Sequence, residues 1–114
     1  MTPAEFKVVR ESLGLTHKWV AQQIGNSERT VKNWEDHITP PADAADFLEN
    51  LESEQASQVE QYVRACQDAR DPALSTYRVD ADVPESFPYP ASWHRAVVAL
   101  VAKEIPGLEI TYAK

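Results

Sequence analysis

The chain has 114 residues, 43% hydrophobic and 25% charged, and its 18 Asp and Glu against 11 Lys and Arg leave a net charge of −7. That length suits one compact domain or two very small ones, and the composition is that of a globular protein. No apolar run is long enough to span a bilayer, and the acidic balance excludes a simple basic patch as the basis of any nucleic-acid binding.

Thr2-Pro3-Ala4-Glu5 reads as a capping box with proline at the first helical position, so a first helix is expected to run to about Leu13. Gly14 can take the left-handed conformation that ends it. Thr16 can cap a second helix over residues 17–24, Gly25-Asn26 makes a turn, and Ser27 can cap a third helix over residues 28–36. Thr39-Pro40-Pro41 stops everything before it and can start a fourth helix at Pro41 or Ala42. From there to Arg70 there is neither glycine nor proline. Leu48, Leu51, Gln55, Val59, Tyr62, Cys66 and Ala69 recur at steps of three or four, which predicts one long amphipathic helix or two shorter ones bent near residues 53–57.

After Asp71-Pro72 the character changes. Residues 75–79 read as a strand, and residues 83–90 as a loop pinned by Pro84, Pro88 and Pro90. Ser92 is placed to cap a helix over residues 93–105. Pro106-Gly107 turns the chain into a second strand over residues 108–112. The division expected is residues 1–72, a helical domain with the long acidic helix, and residues 73–114, a strand-helix-strand element. The charge is uneven: residues 1–39 are neutral, residues 40–72 carry −6 and residues 73–114 carry −1.

On a wheel at 100° per residue, Val31 and Trp34 fall on the inner side of the third helix. Arg29, Lys32 and Asn33 fall on the outer side, with Glu28 at the flank. In the second helix Val20, Ala21 and Ile24 are the inward set. Two short helices, a glycine-containing turn and a cap on each start are the signature of a helix-turn-helix.

The stretch "LGLTHKWVAQQIGNSERTVKNWE" resembles the lambda-repressor-like (XRE-type) helix-turn-helix. The resemblance covers roughly residues 1–52 and rests on Leu15-Thr16, Ala21, Ile24-Gly25, Val31 and Trp34-Glu35 together. It implies that Arg10 pairs with Glu35, because a helix 1 arginine often does so in that family; a half-buried pair of this kind costs roughly 3–5 kcal/mol to break from one side. Two positions depart from the pattern. His17 stands where the family often has glutamine. His37 stands where a glycine is usual, and it would have to leave the helix there; histidine tolerates the left-handed region better than bulky residues do. The second half is similar to small phage and bacterial regulators that include anti-CRISPR-associated autorepressors and YdiL-like proteins. That likeness implies a homodimer on an inverted repeat, dimerised by its C-terminal part.

These readings give a mainly α fold: a four- to five-helix lambda-repressor-like helix-turn-helix domain followed by a small β-α-β dimerisation element. The base contacts expected are Glu28, Arg29, Lys32 and Asn33, since arginine can clamp guanine, asparagine adenine, and glutamate can accept from cytosine. The backbone contacts expected are Thr16, His17, Lys18, Ser27 and Thr30, although capping alone explains Thr16 and Ser27. Trp19 sits where such a helix is usually polar, and either the second half, a partner chain or plain surface burial would account for it. Trp93, Val97, Leu100, Val101 and Ile105 form an apolar stripe. With Tyr77 and Ile110 they are the expected dimer interface, because two strands and one helix offer too little to cover them; the alternative is packing on the chain's own long helix.

An enzyme is not expected. Cys66, the sole cysteine, falls in an apolar stripe, and there is no glycine-rich phosphate loop or serine elbow. His17, His37 and His94 fall at no metal-ligand spacing, so no metal or cofactor is expected. "MTPAEFK" lacks the basic-then-apolar pattern of a secretory signal, which points to the cytoplasm of a bacterium, as a native or phage-encoded protein. The function expected is sequence-specific binding of double-stranded DNA by a homodimeric repressor. The alternative is an antitoxin-like module whose second half holds a partner protein; an RNA partner stays open.

Overall fold

The computed structural model describes residues 1–114. The order is α1 (Pro3–Ser12), α2 (His17–Ile24), α3 (Glu28–Asn33), α4 (Ala42–Gln67), β1 (Ala73–Thr76), a short 3-10 turn (Asp80–Asp82), α5 (Ala91–Glu104) and β2 (Glu109–Tyr112). The protein is mainly helical, with one small sheet. No helix is long and apolar enough to cross a membrane.

Local chemistry accounts for the first three helices. Thr2 Oγ1 accepts from the Glu5 amide at 3.1 Å, and Glu5 Oε1 accepts from the Thr2 amide at 2.8 Å. The two bonds satisfy orphan donors at the start of α1 reciprocally. Thr16 accepts from the Trp19 amide at 3.0 Å and Ser27 from the Thr30 amide at 3.1 Å, so α2 and α3 start on side-chain caps. Gly25, at φ 73° and ψ 36°, ends α2 in a conformation that costs other residues a Cβ clash.

α3 is shorter than the residues 28–36 expected. Beyond Asn33 the chain tightens: the Asn33 carbonyl accepts from the amides of Asp36, His37 and Ile38 at 3.0–3.2 Å. No residue other than glycine has positive φ, so His37 does not leave the helix through the left-handed region. The converging amides turn the chain without it. α4 is one helix of 26 residues rather than two, consistent with the lack of glycine and proline inside it.

β1 and β2 pair in parallel, Ala73 opposite Glu109 through Thr76 opposite Tyr112, with α5 as the crossover. The Pro72 carbonyl accepts from the Glu109 amide, and the Thr76 carbonyl from the Ala113 amide. β1 is shifted toward the N-terminus from the residues 75–79 expected, while β2 falls within the residues 108–112 expected. α5 starts at Ala91, and its N-cap residue is Pro90, which offers no side-chain acceptor. The cap comes from elsewhere: Asp80 Oδ1 accepts from the Ala91 amide at 2.8 Å. Ser92, expected as the cap, lies inside the first turn.

The chain divides into two compact units, Met1–Ser53 and Glu54–Lys114. The division falls inside α4, well before the change of character at residue 73. The reason is that the second half of α4 bonds to α5: Trp93 Nε1 donates to Gln58 Oε1 at 2.9 Å, and the Tyr62 hydroxyl lies 2.9 Å from His94 Nε2. In the first unit Phe6, Leu13, Val20, Val31 and Leu48 are fully buried, and Phe6 meets Trp34 edge to face at 5.9 Å. In the second Trp93, Val97, Val98 and Val101 form the core. Each such side chain contributes roughly 1.5–3 kcal/mol by leaving water.

Candidate nucleic-acid interface

The six residues of α3 divide cleanly. Val31 is fully buried, and Trp34 just beyond the helix is nearly so. Glu28, Arg29 and Lys32 are exposed, and Asn33 is half-buried at the end of the same face. The helical period makes this division: 28, 29, 32 and 33 share a side that 31 and 34 do not. Lys32 Nζ lies 3.9 Å from Glu28 Oε1, both side chains about half exposed, at 58% and 49%. A surface pair of that length holds neither group firmly. Arg29 makes no hydrogen bond or ion pair within the chain, so its guanidinium is the uncommitted cation of the face.

Behind this face lies a buried polar junction. Glu35 Oε2 accepts from Arg10 Nε at 2.5 Å, and Glu35 Oε1 accepts from Arg10 Nη2 at 3.0 Å. Arg10 Nη1 donates to the Leu15 carbonyl at 2.7 Å. His17 Nε2 lies 3.0 Å from Glu35 Oε1. The Arg10 and Glu35 side chains are only 8% and 5% exposed. Burial by itself would raise the Glu35 pKa, but the hydrogen bonds and charges of Arg10 and His17 outweigh it, and the carboxyl is held below its usual range. Four places in the chain meet here: α1, the loop before α2, the first residue of α2, and the segment after α3. The junction therefore fixes how α2 and α3 sit against α1.

The remaining residues expected at a nucleic acid have mixed placements. Lys18 is exposed on α2. Thr16 and Ser27 cap their helices, and the Ser27 and Thr30 hydroxyls lie 2.8 Å apart, so those groups are partly engaged. His17 turns one ring nitrogen inward to Glu35 while its side chain stays 26% exposed. Trp19 is half-buried with its ring 6.3 Å from that of Phe47 on α4, so its neighbour lies in its own unit. Comparison with known proteins finds no family model and no curated sequence that matches the chain. The reading of this face therefore rests on its own geometry.

The second unit corrects the expected dimer surface. Trp93, Val97 and Val101 have no exposed area. Trp93 stacks on Tyr89 at 4.3 Å and 17°, which covers it from the proline-pinned loop. Tyr77 is half-buried against the His94 ring at 4.9 Å. The chain's own long helix, the alternative cover for this stripe, does lie on α5 through its second half, together with the aromatic side chains of that loop. What stays open is β2, all four of whose residues are exposed, with Ile110 at 44% and Tyr112 at 56%. Leu100 is half-buried.

A second polar junction was missed altogether. His94, 3% exposed, has Nδ1 at 2.7 Å from Thr76 Oγ1 and Nε2 at 2.9 Å from the Tyr62 hydroxyl. It joins α5 to β1 and α4, with Phe87 edge-on at 5.6 Å. Burial lowers its pKa and keeps it neutral. Both ring nitrogens are thus satisfied by hydroxyls, which can donate or accept as the tautomer demands. Cys66 is buried, and no cluster of His, Cys, Asp or Glu is arranged to hold a metal ion.

Proposed function

We propose that α2, its turn and α3 form a lambda-repressor-like helix-turn-helix, and that the protein is a sequence-specific DNA-binding regulator acting as a homodimer. The observation that carries this reading is the division of α3. Val31 and Trp34 lock it to the first unit, the Arg10–Glu35–His17 junction fixes its mount, and Glu28, Arg29 and Lys32 are left outward. A reader of base edges must be rigid behind and polar in front. Arg29 is the central contact, by its bidentate reach to guanine; Lys32, Asn33 and Glu28 flank it, and Lys18 and Ser27 meet the phosphates.

Residues 1–39 carry no net charge, so general attraction to phosphate contributes little, and specificity comes from direct contacts at two matched half-sites. The second copy is placed on the open edge of β2, where unpaired backbone and exposed Ile110 and Tyr112 coincide. Repression is the expected outcome of such binding at a promoter.

Selection of bound duplexes from a random pool tests the reading, followed by the same selection with Arg29→Ala. The substitution is expected to weaken the selected duplex by roughly 1–3 kcal/mol and relax one base position per half-site. An unchanged motif and affinity would remove α3 as the reader. A pool that yields no duplex, with a partner protein retained through β2 instead, would favour the antitoxin-like alternative.

A further inference from the structure

We infer that a second copy lays its β2 antiparallel to this one about a two-fold axis at Thr111, which makes one four-stranded sheet with both α5 helices on the same face. The inference rests on the placement of the second copy on β2 proposed above and fixes how it sits there. The Glu109 amide donates to the Pro72 carbonyl and the Ala113 amide to the Thr76 carbonyl, so the odd-numbered residues of β2 turn their backbone toward β1. In a parallel ladder the residues between them turn the other way. The N–H and C=O groups of Ile110 and Tyr112 therefore point out from the free edge, ready to pair. Thr76 is buried and its hydroxyl meets His94, which sets the side of the sheet that α5 covers. Partners in register point to the same side, so Ile110, opposite Leu74, and Tyr112, opposite Thr76, share it. Glu109 and Thr111 take the other side.

Ile110 and Tyr112 lie on the covered side and are still 44% and 56% exposed. α5 does not reach across them: a groove of about 360 Å³ stays open there, with Val98 and Ala99 on its helix wall and Ile110 and Tyr112 on its floor. It is half of a helix-on-sheet layer, unfinished where the sheet stops. A second β2 supplies the missing floor and a second α5 the facing wall. Symmetry then limits the register. Bonds form only where outward-turned residues of one strand meet outward-turned residues of the other. Ile110 set against itself leaves Tyr112 opposite Leu108, whose amide already donates to the Ile105 carbonyl at 3.3 Å. Tyr112 set against itself puts Ile110 opposite Lys114, outside the strand. Thr111 set against itself places Ile110 opposite Tyr112 on both sides of the axis, and every outward amide and carbonyl of those two residues is paired. This register also joins aromatic to β-branched and threonine to threonine, both favourable across strands. Charge agrees with it. Glu109 falls opposite Ala113 of the second copy, beside its Lys114 and away from its Glu109. The Arg78 guanidinium, 5.6 Å from the centre of the Tyr112 ring, brings a second cation to that end.

The experiment uses the full chain, with the buried Cys66 left in place. Thr111→Cys puts a thiol on the axis, at a non-hydrogen-bonded pair whose Cα atoms lie about 4.5 Å apart, within disulfide reach. Glu109→Cys sets its two thiols about 14 Å apart along the strands, beyond that reach. Mild oxidation at micromolar concentration is expected to turn Thr111→Cys into a covalent dimer and to leave the parent and Glu109→Cys uncrosslinked. Mixed Glu109→Cys and Ala113→Cys chains are expected to crosslink to each other. The unmodified chain gives a second measurement: hydrogen exchange at the Ile110 and Tyr112 amides is expected to slow as the chain dimerises. A dimer by sedimentation in which Thr111→Cys does not crosslink, or Glu109→Cys crosslinks to itself, would overturn the register. A dimer in which the two amides stay unprotected would move the second copy off β2. A monomer in sedimentation would overturn the pairing and the homodimer together, while the duplex selection decides the DNA reading on its own.

Discussion

Arg10 does three things with one guanidinium: it meets both oxygens of Glu35 and the carbonyl of Leu15. Removing it leaves a buried carboxylate facing only His17. Arg10→Ala should therefore cost roughly 3–5 kcal/mol of stability in a thermal or urea melt. A melt indistinguishable from the parent would mean the pair adds nothing. The sequence offers this partnership only as a resemblance, because Arg10 and Glu35 stand 25 residues apart. The part played by His17 is not legible at all, since nothing in the spacing says which way an imidazole at a helix start will turn. Acid should act on the protein in two stages. The folded pKa of His94 is lowered, so the unfolded chain binds that proton more readily, and the stability it confers is full above about pH 6.5 and falls below it. Glu35 is lowered too, so its contribution is present above about pH 4.5 and is lost as pH falls further. Melting temperatures from about pH 8 to about pH 3 check this: His94→Gln should flatten the first stage and Glu35→Gln the second.

The elements divide by how their ends are made. α1, α2 and α3 start on side chains within three residues of the amides they accept from, so Thr2, Thr16 and Ser27 are readable as letters in a row. α5 is different. Its acceptor, Asp80, sits eleven residues upstream, across a loop with three prolines, and no local rule points there. Ser92 has the right chemistry two residues too late. Asp80→Ala should destabilise the second unit by about 1 kcal/mol, within the usual range for a lost cap, and Asp80→Asn should restore most of it. Hydrogen exchange at the Ala91 amide is the direct readout. Exchange unchanged in Asp80→Ala would show the cap to be ornamental. The end of α3 fails in the sequence for a related reason: a carbonyl that gathers three amides is a property of the folded turn, not of any residue type.

At the scale of the molecule, the compositional change at residue 73 is a poor guide to how the chain packs. Residues 54–67 read as the second half of one amphipathic helix, with Tyr62 on its apolar stripe, and there Gln58 and Tyr62 supply the partners of Trp93 and His94. A truncation near residue 73 would therefore strip α4 of its packing as well as remove α5, and would say little about assembly. A point change on the open strand separates the two. Ile110→Lys should leave the melt within about 0.5 kcal/mol of the parent, as exposed changes generally do, and should shift the sedimentation of the full chain from dimer to monomer at micromolar concentration. A chain already monomeric, or a variant that stays dimeric, would move the second copy elsewhere. Under the proposed function, loss of assembly should lower DNA affinity as well, since that reading needs two α3 helices about 34 Å apart to meet successive turns of DNA.

The parallel pairing of Ala73 with Glu109 has a consequence for the order of folding. A hairpin can close as soon as its turn forms, but these strands are separated by the whole of α5 and the proline-pinned loop before it. Bringing them together costs the entropy of closing that long segment, and the sheet gains nothing until α5 has folded back over its core. β2 is therefore expected to dock after α5 is in place. The edge that a second copy would join is absent from any partly folded chain, so association through it would select for molecules that have already finished.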